Sequence, residues 1–427
     1  MFEHVENIVG LCACGKEHAL LTEECAVSKE AELLLKEYLD RKGFAAPAVV
    51  ADENTKKYAD RLLALFPAPL YAVAGNAHAT EVFTAEVGGF VEREKPDCLI
   101  ACGSGSVHDI VRYVACEKKL PFISYPTAAS VDGFVSGVAA MTWHGQKLTF
   151  PSVPPVAAFA NPEVFASAPQ RLLASGVGDV LGKYVSLFDW RVSNILTGER
   201  MCEKLFSLES EAVKGAVEAL SNRGTCGEEE YAAKVMNALL ISGLVIQLSG
   251  NSRPASGAEH HLSHLWEMRR INGKNDGLHG EQVGVGLLLV MRRYERALRE
   301  GIDYERLTAV DPAKVMDRKL LEPVFRDLTD GILKENMPDG TLASSSLNRI
   351  ALRPSTDREL RAAAAEVLPP SEEAERLLKL AGAPVTPTEI GLDSSEEFAA
   401  KSLRFAPYVR DRMTMLKALD AAEIDLY

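Results

Sequence analysis

The chain has 427 residues, 47% of them apolar and 25% charged, with a net charge of −13. That is too long for one ordinary hydrophobic core and suits two domains, while the composition is that of a globular protein rather than a disordered one. The acidic balance argues against general nucleic-acid binding, which calls for clustered Lys and Arg; one or two well-placed cations still suffice to hold a small phosphorylated ligand.

Met1-Phe2-Glu3-His4 lacks the basic-then-apolar order of a signal peptide. No window approaches the roughly 18 uninterrupted apolar residues of a membrane span, so a cytoplasmic protein with no membrane partner is expected. Helix-like and strand-like segments then alternate. Ala31 to Leu39 carries apolar residues at helical spacing, and Ala48 to Ala51 is a short apolar strand ending at Asp52. Tyr58 to Phe66 predicts a helix, Leu70 to Ala74 a strand and Ala79 to Glu92 a helix. Cys98 to Ala101 predicts a strand that runs into Gly103-Ser104-Gly105-Ser106, followed by a helix over His108 to Cys116 and a strand over Pro121 to Tyr125. Such alternation implies βαβ units and a parallel sheet with ligands at the carboxyl ends of its strands.

From about residue 170 the pattern is helical throughout. Arg171 to Thr197, Met201 to Leu220, Glu228 to Leu248, Gly257 to Arg270 and Glu281 to Arg299 all carry apolar positions at helical spacing. The expected fold is an α/β nucleotide-binding domain with a parallel sheet over residues 1–165, followed by an all-helical metal- and substrate-binding domain over 166–427. The site is expected in a cleft at their junction.

The eight cysteines show no paired CxxC spacing, which suits reduced core thiols better than a disulfide frame or a zinc knuckle. The strongest chemical signal lies in the helical half. Asp179 stands inside an amphipathic helix, His260 and His264 share a helical face at i and i+4, and His279 precedes a glycine at a helix start. Two imidazoles and one carboxylate suit Zn²⁺, Ni²⁺ or Fe²⁺ and leave positions open for substrate. A lone HxxxH is equally an ordinary helical pair, but four of the nine histidines fall within twenty residues. His261 points roughly 100° away from His260 and is the least suited to join them. By itself, GSGS is a flexible turn as often as a phosphate cradle; its place after an apolar strand favours the cradle, with glycines admitting backbone N–H groups to a pyrophosphate.

Gly250-Asn251-Ser252-Arg253-Pro254-Ala255-Ser256-Gly257-Ala258-Glu259-His260 resembles the signature of the glycerol-1-phosphate dehydrogenases. So do Pro126-Thr127-Ala128-Ala129-Ser130-Val131-Asp132-Gly133, Gly176-Val177-Gly178-Asp179 and Leu278-His279-Gly280-Glu281-Gln282, in family order, over roughly residues 20 to 300. The resemblance, to bacterial-type members of the superfamily of iron-type alcohol dehydrogenases, glycerol dehydrogenase and dehydroquinate synthase, implies that Asp179, His260 and His279 hold a catalytic metal. It implies nickel in bacterial members and zinc in archaeal ones, and production of the glycerophosphate backbone of ether-type lipids. It also implies a dinucleotide on Gly103, Ser104, Gly105 and Ser106 beside Asp109, with Thr127, Ser130 and Ser136 lining it and Asp132 near the substrate.

Asp52 at its strand end is suited to a ribose and favours NAD over NADP, although such an acid is often only a solvated cap. Arg253 is the first choice for the substrate phosphate, Lys183 the second, and Lys147 and His144 weaker ones; Lys183 alternatively neutralises Asp179. His264 either relays the proton or packs beneath the ligand. The implied reaction is reversible reduction of dihydroxyacetone phosphate to sn-glycerol 1-phosphate by NAD(P)H in a homo-oligomer, a dimer above all. The rivals are a glycerol dehydrogenase, a dehydroquinate synthase-like cyclase, whose first ligand is typically Glu, and a non-catalytic NAD-binding protein. Asn161-Pro162 stands where relatives often carry an acid, and the chain beyond about 310, including Val367 to Leu380, matches no motif.

Overall fold

The computed structural model describes residues 5–75, 77–144 and 146–423, with only the backbone described at Gln146 and Lys147. The Lys147 side chain, a weaker phosphate candidate, therefore lies outside the described part. The chain divides into two compact units, Met1–Val180 with Glu211–Asn251, and Leu181–Ser210 with Ser252–Tyr427.

The first unit is built on six strands: β1 (Glu24–Val27), β2 (Pro47–Asp52), β3 (Leu70–Val73), β4 (Cys98–Gly103), β5 (Phe122–Pro126) and β6 (Ala157–Ala160). They lie in the order β1-β6-β5-β4-β2-β3, and every neighbouring pair is parallel. Such a sheet is covered on both faces, so its central strands are continuous apolar runs; β2, β4, β5 and β6 are buried at every position. Alternate residues feed two cores. Val49, Ala51, Ile100 and Cys102 pack with Leu35 and Tyr38 of α1 (Ala31–Lys42) and Tyr58 and Leu62 of α2 (Lys56–Leu63). Val50, Leu99 and Ala101 pack with Val87 and Phe90 of α3 (Glu81–Glu94) and Ile110 and Val111 of α4 (Gly105–Lys118).

Four strands and four helices match their expected segments. β1 and β6 were not expected, because Ala157-Ala158-Phe159-Ala160 has weak strand propensity and becomes a strand through burial between neighbours. Asn161, at the foot of β6, caps the next short helix by accepting the Glu163 amide at 3.0 Å. Its amide nitrogen donates to both oxygens of Glu32.

The helices of the second half follow the periodicity closely: α5 (Gln170–Thr197), α6 (Glu203–Ser221), α7 (Glu228–Ser249), α8 (Ala258–Glu267) and α9 (His279–Glu300). Among the described residues α7 is the one helix long and apolar enough to cross a membrane, and 67% of its most apolar window is buried inside the protein. That burial fits the core helix of a globular unit. In the second unit the region without motifs folds onto α9: Ser371, which opens α10 (Ser371–Ala381), bonds Glu295 through amide and hydroxyl, and Glu375 pairs with Arg292 at 2.6 Å.

Glycines set the closest approaches. A Cβ on Gly176 would lie 2.1 Å from the carbonyl oxygen of Ala129, and one on Gly243 2.5 Å from Val135 Cγ2 and 2.8 Å from the Asp132 carbonyl. These contacts seat the 126–136 loop against α5 and α7. Gly176→Ala is expected to cost about 1–3 kcal/mol, as overpacking against an unyielding backbone does, and to lower the melting temperature by several degrees. Gly215→Ala, where nothing lies within 4 Å, is the control and should not lower it. A Gly176→Ala melting temperature equal to wild type would show that the loop is not seated there.

Candidate active site

In the first unit three adjacent strand ends bring the expected cofactor residues together. Gly103 closes β4, Ser104 stands extended at the start of α4, and the Thr127 amide donates to the Gly103 carbonyl at 3.0 Å. A Cβ on Gly103 would meet Val107 at 2.6 Å, so this glycine is required for helix–strand packing. His108, one turn into α4, fixes the loop from behind through the Ser104 carbonyl at 3.0 Å and Ser124 Oγ at 2.8 Å. Burial pulls its pKa down to about 3, so it is neutral. Asp52 ends β2, and its Oδ1 accepts the amides of Asn54 and Thr55 and the Thr55 hydroxyl. Among the described residues no hydrogen bond is made to its Oδ2.

Asp109 pairs with the buried Arg112 at 2.7 Å, and Arg112 donates to the carbonyls of Gly133, Phe134 and Val138. Asp109 thus orders the 133–138 segment through Arg112, a buried cation that no motif flags. Ser136 is buried and bonds the Val138 carbonyl at 3.0 Å, and the buried Ser130 offers its carbonyl to Ser175 Oγ at 3.2 Å. The Asp132 amide donates to Asp179 Oδ2 at 3.0 Å, and the Asp132 carboxylate accepts from Ser242 at 3.1 Å. Two residues singled out separately by sequence, Asp132 and Asp179, are therefore bonded to each other. Asp179 is fully buried.

In the second unit α8 and α9 pack tightly because Gly286 lacks a side chain: a Cβ there would lie 2.8 Å from the Glu259 carbonyl. Gly182 of α5 likewise admits Val283 at 2.6 Å and His260 Cε1 at 3.8 Å from its would-be Cβ. The His260 and His279 ring centroids lie 5.4 Å apart, each offers a nitrogen within 4.8 Å of the other's, and His264 stands 6.2 Å from both. Carboxylates set their tautomers. His260 Nδ1 meets Glu259 Oε1 at 2.6 Å and His279 Nδ1 meets Glu267 Oε1 at 3.3 Å. A carboxylate only accepts, so Nδ1 carries the proton in each ring and Nε2 carries the lone pair. Glu259 and Glu267 hold these two rings, a role that the sequence motifs do not reveal.

His264 is held neutral by burial, and its Nδ1 has no hydrogen-bond partner among the described residues. His261 faces elsewhere, fully buried, with both ring nitrogens unbonded among the described residues.

Arg253 is occupied as a structural cation. Its Nε and Nη2 grip Glu199 at 2.9 and 2.6 Å, and its other donors reach the Met413 carbonyl and Ser193 Oγ. The Lys183 ammonium donates to the Ala255 carbonyl at 3.1 Å. His144 is an exposed residue of the first unit beside Glu81. Arg412 differs: it donates to Ser252 Oγ at 2.7 Å and the Ser256 carbonyl at 3.3 Å and has no carboxylate partner among the described residues. Burial, with Arg253 and Arg410 nearby, pulls its pKa down to about 9.

The family model described as iron-containing alcohol dehydrogenase matches residues 26–169. In solved structures the fold is shared by the iron-containing alcohol dehydrogenase of Corynebacterium glutamicum, with a TM-score of 0.61 at 16% identity over 95% of this chain and 96% of that one. The glycerol-1-phosphate dehydrogenase [NAD(P)+] of Bacillus licheniformis is 32% identical over 98% of this chain and 94% of its own length. That of Geobacillus stearothermophilus is 32% identical over 98% and 97%. With such identity along nearly the whole of both sequences, the chain belongs to the glycerol-1-phosphate dehydrogenase family.

Proposed function

We propose that the protein is an NAD(P)-linked, metal-dependent oxidoreductase that reversibly reduces dihydroxyacetone phosphate to sn-glycerol 1-phosphate. The observation that carries the reading is the pair His260 and His279, each ring turned by a carboxylate so that Nε2 presents its lone pair. Asp179, one turn before Gly182 on α5, is the carboxylate that the family motif assigns to the set, and one oxygen with two imidazole nitrogens would suit a divalent ion such as nickel or zinc. Held there, a divalent ion would supply Lewis-acid polarisation of the ketone for hydride transfer.

The remaining steps belong to the chain. The amide of Asp132 holds Asp179 in place, and Ser242 orients the Asp132 carboxylate toward its role near the substrate. Ser104, Gly105, Ser106, Thr127, Ser130 and Ser136 line the dinucleotide, with Asp109 acting through Arg112 to order the loop. Asp52, with Oδ1 engaged by its own loop, accepts from the ribose through Oδ2. His264, one turn beyond His260, relays the proton that completes the alcohol. For the phosphate, Arg412 is better placed than Arg253 or Lys183, because a half-buried guanidinium bonded to no carboxylate among the described residues would be stabilised by an incoming anion. The rivals find less support: relatives similar along the full length carry the glycerol-1-phosphate dehydrogenase name. We place the enzyme in the cytosol, as a dimer.

Three outcomes test this reading. Glu259→Gln should weaken metal retention about 10–100-fold, the usual cost of removing a carboxylate behind a ligating imidazole, as measured by metal titration of the apoprotein; unchanged affinity would remove Glu259 from the centre. Arg412→Ala should raise KM for dihydroxyacetone phosphate at least tenfold while leaving that for dihydroxyacetone nearly unchanged, whereas equal effects would exclude a phosphate contact. Asp52→Asn should raise KM for NADH several-fold more than for NADPH; a uniform change would mean that Asp52 acts only as a loop cap.

A further inference from the structure

Far along the chain from the histidines of α8, the first unit carries a second group of soft donors. Gly10–Leu11 and Glu17–His18 form a two-residue antiparallel hairpin, and the turn between them is Cys12-Ala13-Cys14-Gly15-Lys16. The Cys12 amide donates to the Lys16 carbonyl at 3.0 Å and the Gly15 amide to the Cys12 carbonyl at 2.8 Å; Gly15 takes a positive φ of 79° that favours glycine. This tight turn folds both sulfurs back toward His18. Cys12, Cys14 and His18 offer two sulfurs and a ring nitrogen that all lie within 4.8 Å of one another.

The tautomer of His18 is fixed. Its Nδ1 lies 2.7 Å from the Leu248 carbonyl, which only accepts, so Nδ1 carries the proton and Nε2 presents its lone pair to Cys14 Sγ at 3.4 Å. In a tetrahedral site with Zn–S near 2.3 Å and Zn–N near 2.0 Å, ligating sulfur and nitrogen stand roughly 3.5 Å apart. A carbonyl behind the second ring nitrogen is the usual outer partner of a ligating histidine. Two thiolates and a neutral imidazole bring two negative charges, which a divalent ion cancels.

We propose that Cys12, Cys14 and His18 form a structural metal site of the zinc type, separate from the histidine pair of the second unit. Soft thiolates select zinc over the harder cations, and binding releases a proton from each thiol. The site has a mechanical purpose. Strands of two residues are too short to stand alone, and this hairpin lies on the end of α7, where His18 bonds the Leu248 carbonyl and Lys16 the Ser249 carbonyl. These are among the last carbonyls of the helix, which lack partners within it. The metal holds the hairpin closed over them.

Cobalt distinguishes this site from the proposed catalytic one, which has oxygen and nitrogen donors and no sulfur. Full-length protein loaded with Co²⁺ under reducing conditions is expected to show a sulfur-to-cobalt charge-transfer band. Cys14→Ser and Cys12→Ser should each lose the band and one equivalent of bound metal by elemental analysis. His260→Ala should keep the band while losing the other equivalent. Absence of the band in the wild-type protein overturns the proposal without recourse to any variant, and so does a band that survives both cysteine substitutions.

Discussion

A carboxylate withdrawn completely from water governs the second unit. Glu259 has no exposed surface, and its Oε1 accepts from the Gly257 amide at 2.9 Å and from His260 Nδ1 at 2.6 Å. Burying a carboxylate costs several kcal/mol unless strong partners compensate. Here the compensation is directional, and it fixes both the orientation and the tautomer of His260. The same acid burdens its neighbour. Asp189, also fully buried, has its pKa pushed up to about 7 by burial and then by the charge of Glu259, against the bonds it accepts from Met415, Ala258 and Tyr294. A divalent cation bonded at Nε2 of His260 would stabilise the ionised form of Glu259 through the ring. Binding chemistry and the burial of acids are therefore parts of one electrostatic arrangement.

That arrangement needs helices packed closer than side chains ordinarily permit, and glycine provides the space. A Cβ on Gly257 would stand 2.8 Å from both Asp189 Oδ2 and Glu259 Oε2, one on Gly182 2.6 Å from Val283 and one on Gly286 2.8 Å from the Glu259 carbonyl. In the first unit Gly176 and Gly243 do the same for the loop carrying Asp132. Glycines that a motif search attributes to flexible ligand loops thus serve here as close contacts between backbones. Even Gly103, inside the expected phosphate cradle, is required by Val107.

The sheet was legible because a doubly covered parallel sheet writes itself as buried apolar runs ending in turns, and β2, β4 and β5 do so. The helices were legible from period alone, and the histidines from their crowding within α8 and at the start of α9. What was not legible depends on direction rather than position. Glu259 is adjacent to His260 in sequence, yet neighbours on a helix ordinarily point about 100° apart, so their hydrogen bond has no sequence signature. Arg253 shows the converse. Its place in a matching segment suggests a phosphate contact, but Glu199, distant in sequence, takes its guanidinium by two bonds.

Arg412 and Lys417 extend the point to the region that matches no motif. Lys417 is completely buried and bonds Asn336 and Asp411, with its pKa drawn down to about 8 by burial. Arg412 lies five residues earlier, bonded to Ser252 and Ser256 of the signature segment and to no carboxylate among the described residues. Of these neighbouring cations, Lys417 and Arg253 are bonded to acids, and among the described residues Arg412 is not. Charge matching is what keeps buried cations affordable, and the half-buried Arg412 relies instead on neutral oxygens. A residue that no motif flags is in this way bonded to the segment that carries the family resemblance.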